Sequence, residues 1–295
     1  WKPLMMASVS GRRTEMVVPT PAALSMSVAE RARAREELAQ AAALGAFRLR
    51  ASDTPWYGAV LTGADHATET LLRVRKLGAL MPQLIEQVDT TAVQTGLDEA
   101  QTLRQWSEQL ELLEGIRASL DHFQATVFER SVHDMAAAAA SRAWRAQKGI
   151  TLSWGERRRL RRQAKDLLRP GVAVGDLHAE LLSVQARREL WRRHCAGGGW
   201  PRLPEGMTAI LSTEHDVLAE VAPLQDVLGP AMGDLLDVPL PELRSRLDRL
   251  GADDATLRQM PERAGVLGGL ARLALRPLVE DLTARRVPTE LVGAE

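Results

Sequence analysis

The chain of 295 residues has a single cysteine, Cys195, which excludes an internal disulfide and any multi-cysteine zinc or iron–sulfur site. A reducing, cytoplasmic setting is the expectation that follows. It also has no apolar run near the roughly 18 to 20 residues that a membrane span needs, so no membrane partner is expected. The start, Trp1-Lys2-Pro3-Leu4-Met5-Met6, lacks the pattern of a secretory signal. Its first residue is not methionine, which points to a fragment of a longer chain. Net charge is missing too: 38 Lys and Arg balance 38 Asp and Glu. Lysine itself is scarce, with only Lys2, Lys76, Lys148 and Lys165, so the cations are almost all arginine. Aromatic content is 4%, yet seven of the few aromatic residues are tryptophan. Apolar content of 45% and charged content of 26% suit a globular protein able to bury a core without disulfides.

What is present is an uneven placement of charge. Arg157, Arg158, Arg159, Arg161, Arg162, Lys165 and Arg169 put seven cations into thirteen positions of a neutral protein. At helical period Leu160, Ala164, Leu167 and Leu168 form an apolar face, and Arg157, Arg158, Arg161, Arg162 and Lys165 cover the opposite one. Ser153 and Glu156 have the spacing of a capping box, and Pro170-Gly171 stop the helix. Arg187, Arg188, Arg192 and Arg193 make a second basic stripe on the next helix, and the two helices are expected to share one face. Such a face contacts the backbone of DNA or RNA without reading sequence. The competing reading is a solvated face paired with carboxylates elsewhere.

Helix signals recur along the chain, and strand signals are nearly absent. Ser27 and Glu30 cap a run through Leu44, with Gly45 as a stop. Asp65 opens another through Val88, with a kink expected at Pro82. Leu103, Trp106, Leu110, Leu113, Ile116, Leu120 and Phe123 step by three and four, a seam suited to a helical hairpin or short coiled coil. Ser131 and Asp134 are expected to start an alanine-rich helix to about Lys148, and Asp176 opens one to Cys195. Gly197 to Pro204 reads as a linker. Beyond it, helices are expected at about Met207 to Leu228, Pro241 to Leu250, Asp254 to Met260, Pro261 to Leu275 and Pro277 to Arg285. The expected fold is all-α: an antiparallel helical bundle with a long helical hairpin and a compact C-terminal cluster. Its expected divisions are a poorly ordered lead-in at 1–26, the bundle at 27–196, a linker at 197–206 and the cluster at 207–295.

Catalytic constellations fail one by one. Asp98-Glu99-Ala100-Gln101 has the letters of a Walker B motif, but no apolar β-run precedes it, and no lysine follows a glycine as a phosphate loop requires. No two of His66, His122, His133, His178, His194 and His215 have the spacing of a zinc-protease helix. His194 and Cys195 are neighbours on one helix and point apart. Ser131, His133 and Asp134 belong to a helix start. Among the tryptophans, Trp106 reads as core; Trp144, Trp154 and Trp191 lie within the basic region, where an indole could stack on an exposed base, and core packing is the expectation there too.

Several blocks resemble a helical region inserted in large actinobacterial ATPases of the superfamily 1 helicase type. They are Ala51–Ala59, Gln105–Gly115, Val127–Arg130, Arg159–Gly171 and Asp176–Ala179, and the resemblance covers about Arg31 to Cys195. The tail from Leu275 to Glu295 is similar to the lead-in to the next motor segment. The resemblance implies an accessory, non-catalytic helical domain. ATP and Mg belong to the parent protein, whose motor domains would flank this region and act on nucleic acid. No catalytic residue carries over, because no motor motif stands in this sequence. The alternative is a structural or protein-interaction module that braces the motor.

Overall fold

The computed structural model describes residues 25–195, 197–229 and 232–285. Among them the chain is all-α, with eleven α-helices and no strand, only isolated bridges at Thr102–Pro239 and Phe123–Leu168. Among the described residues no helix is long and apolar enough to cross a membrane. Residues 1–24 of the expected lead-in lie outside the described residues.

The described residues form two compact units, 25–71 with 253–285, and 72–252. The expected linker at Gly197–Pro204 therefore falls inside the second unit. There, Cys195 Sγ donates to Gly198 O at 3.3 Å and the Glu205 amide donates to Gln94 Oε1 at 2.8 Å. Residues 253–285, expected to belong with 207–252, group with residues 25–71 instead.

In the first unit, α1 (Val28–Ala43) starts on a full capping box between Ser27 and Glu30. The bonds from the Ser27 backbone and hydroxyl hold the Glu30 carboxyl below its usual range. Gly45, at φ 67°, ends the helix in the left-handed conformation that glycine takes without strain. The sequence places two helices over residues 254–275, but the structure has one, α10 (Asp254–Arg272), with Pro261 inside it. A proline removes one helix bond; burial of Leu257 on one side and Val266 and Leu270 on the other carries the helix through. Arg263 on α10 donates from Nε to Leu44 O at 3.1 Å, satisfying a carbonyl that α1 leaves open. Ala41, Ala42, Phe47, Val266, Leu270 and Leu282 form the core, the last from α11 (Arg276–Arg285).

In the second unit, α2 (Ala64–Thr95, belonging to this unit from Leu72) runs seven residues past the expected end at Val88, with Pro82 internal. It lies antiparallel to α8 (Met207–Leu228). Glu220 takes Lys76 at 2.7 Å and Arg73 at 3.1 Å, while Gln83 and Gln87 donate to Thr213 at 3.1 and 3.2 Å. The long pair thus joins helices far apart in sequence. The seam residues Leu103, Trp106, Leu110, Leu113 and Ile116 are buried on α3 (Leu103–His122), and Ser107 bonds Glu214 of α8 at 2.6 Å. α9 (Leu240–Ala252) completes the unit, and Arg104 of α3 pairs with Asp234 and Asp237 ahead of it.

The expected alanine-rich helix is broken in two, α4 (His133–Ala139) and α5 (Arg142–Gln147). Ser141 is the cause, since its hydroxyl accepts from the Trp144 amide at 3.1 Å and starts a new helix. Val132, not Ser131, is the N-cap of α4, and no side chain bonds there.

Candidate nucleic-acid interface

The arginine helix is α6 (Trp154–Asp166), and the next is α7 (Leu177–Arg193). Both pack on α4, and α7 also packs on α3. The small side chains of α4, Ala136, Ala137 and Ala138, are buried and permit close helix contact. α6 buries only Leu160 and Ala164 from its helical turns, with Leu167 at the C-cap.

Both ends of α6 are held. The Ser153 hydroxyl accepts from the Glu156 amide at 3.2 Å. At the other end, Gln124 N donates to Leu167 O at 2.9 Å, and the Gln124 side chain donates to the carbonyls of Asp166 and Leu168, both at 3.2 Å. The Arg169 amide donates to His122 O at 2.9 Å, and its guanidinium to Leu120 O at 3.2 Å. Arg169 thus ties the end of α6 to the C-terminus of α3, whose partial negative charge favours a cation.

Arg158, Arg161, Arg162 and Lys165 are all exposed. At 3.6 residues per turn they fall within about 100° of the helix circumference. Arg157 is half-buried at the edge of that face. Arg159 is exposed on another side of the helix. Among the described residues, no carboxylate comes within ion-pair distance of any of these six. Arg157 with Arg161, Arg158 with Arg162, and Arg161 with Lys165 are like charges four apart, each pair costing roughly 0.2–0.5 kcal/mol. The first turn also places Arg157 near the positive end of the helix dipole.

Trp154 departs from the core packing expected of it. It is 70% exposed on the same face as the cations, with the Arg158 guanidinium 5.5 Å from its ring centroid. Trp191 and Trp106 are buried as expected. Trp144 is half-buried, edge-on to His178 at 4.5 Å.

The second basic stripe is not brought to this face as a unit. Arg187, Arg188, Arg192 and Arg193 spread over roughly 240° of α7. Arg187 donates to Ser119 Oγ on α3 at 2.6 Å and lies where a side chain on Gly115 would sit. It faces a groove of about 710 Å³ whose α3 side carries Glu108, Glu111, Glu114 and Asp121. Arg188 donates to the Arg130 carbonyl and lies 5.1 Å from the Trp200 ring centroid. Burial and the neighbouring Arg192 push its pKa down from the ordinary guanidinium value. Arg192 and Arg193 are exposed.

Asp98-Glu99-Ala100-Gln101 forms the connection before α3, where the Asp98 amide donates to His194 O at 2.7 Å. No strand ends there, so the geometry of a Walker B carboxylate is not present. Among the described residues no group of three His, Cys, Asp or Glu side chains is placed to hold a metal ion. Comparison with known proteins finds no match to a family model, a curated protein or a solved structure.

Proposed function

We propose that this chain is a non-catalytic helical module that contacts the nucleic-acid backbone through the exposed face of α6. The observation that carries this reading is the set Arg158, Arg161, Arg162 and Lys165, placed on one face with no carboxylate partner among the described residues despite their mutual repulsion. A surface whose charges were balanced within the fold would show ion pairs like those of Glu220 with Lys76 and Arg73. Phosphates supply the missing counter-charge, and the contact is salt-dependent and indifferent to sequence. The resemblance in the sequence extends the proposal to an accessory domain of a helicase-like ATPase, with ATP and Mg handled by flanking motor domains.

The test is fluorescence anisotropy of labelled single- and double-stranded oligonucleotides at about 50 and 200 mM salt, the range over which phosphate contacts weaken steeply. Binding is expected at the lower salt, lost at the higher, and removed by the triple variant R158E/R161E/R162E with the melting temperature unchanged. Absence of binding at low salt, or binding untouched by the triple variant, overturns the proposal. In that case the same variant's effect on assembly with acidic protein partners tests the bracing role.

A further inference from the structure

Trp154 adds information that the cations alone do not. A tryptophan buries more apolar surface than almost any other side chain when it packs, yet this one stands 70% exposed at the head of the α6 face. Spacings of four, seven and eleven residues put Arg158, Arg161 and Lys165 on the same side of the helix behind it. The Arg158 guanidinium at 5.5 Å holds the indole by a cation–π contact. From Trp154 to Lys165 the face rises about 16 Å, enough for roughly three to five successive phosphates of one strand. An indole beside a cationic track is the pairing that single-strand binders use, since an unpaired base has a face to offer and a base inside a duplex has both faces covered by its neighbours.

We infer that the nucleic acid taken by α6 is single-stranded, with an unpaired base stacked on Trp154 while Arg158, Arg161, Arg162 and Lys165 follow the phosphates. The inference rests on the proposed nucleic-acid contact and adds to it the strand type and the residue that selects it.

The test compares wild type, Trp154→Ala and Trp154→Phe on a 12-nucleotide oligo(dT) and on a 12-base-pair duplex, with R158E/R161E/R162E as the control for the underlying contact. Trp154→Ala is expected to weaken oligo(dT) binding about tenfold, the order reported for one base–aromatic stack. Trp154→Phe keeps most of that affinity, and the duplex changes less than about twofold on either substitution. Quenching of tryptophan emission by oligo(dT) falls in Trp154→Phe, because the stacked indole is gone. Equal losses on both substrates, or no loss on oligo(dT) while the charge-reversed triple abolishes binding, overturns the stacking role and leaves the backbone contact standing. No binding of wild type to either substrate overturns both.

Discussion

α6 carries six cations in 13 residues and α7 four arginines in 17, and the two helices use them differently. On α6, four cations share one exposed face, and the helix is held from behind by Leu160, Ala164 and Leu167 and at its ends by Ser153 and Gln124. On α7, Leu181, Val184 and Trp191 make a buried stripe against two helices, and half of the arginines are drawn into packing. Arg187 reaches Ser119, and Arg188 reaches the Arg130 carbonyl and Trp200. A helix that packs on one side leaves its cations to solvent or ligand. One packed on two sides turns them into supports.

That contrast separates binding from stability, and substitutions sharpen it in decreasing order of effect. Trp191→Ala removes the largest buried side chain of α7 and is expected to cost about 3–5 kcal/mol, read as a fall in denaturant midpoint. Arg187→Glu deletes the bond to Ser119 and adds an anion beside Glu111 and Glu114; a loss of about 2 kcal/mol is expected, with nucleic-acid affinity little changed. Ser153→Ala removes the cap of α6 and is expected to cost about 1 kcal/mol, with hydrogen exchange faster at the amides of residues 154–157. Arg161→Gln on α6 is expected to shift stability by less than about 0.5 kcal/mol while weakening oligonucleotide binding. If Arg161→Gln destabilises the fold as Arg187→Glu does, the two helices do not differ in the way described.

Much of this was legible in the sequence. Ser27 with Glu30, Asp176, and the three-and-four spacing of Leu103 to Ile116 predicted real helices, because caps and apolar periodicity act locally. The amphipathic split of α6 was equally visible. What the sequence hid depends on partners distant in the chain. Pro261 reads as a helix start but sits within α10, whose burial on both sides of the proline outweighs the lost bond. Arg187 and Arg188 look like surface charge until Ser119 and Arg130 are brought beside them. For Trp154 the sequence offers core packing or stacking on a base, and core packing is the expectation because a large apolar ring is usually buried. A helical wheel puts it with Arg158 and Arg161 and away from Leu160, and that signal was available.

The most direct test of the account is the dependence of oligo(dT) affinity on salt. Each lost phosphate contact is expected to lower the slope of log K against log salt by about 0.7. R158Q/R161Q/R162Q should therefore reduce the slope by about two, and Arg187→Gln should leave it unchanged. An unchanged slope in the triple variant, or an equal reduction from Arg187→Gln, would contradict the assignment of the binding face to α6.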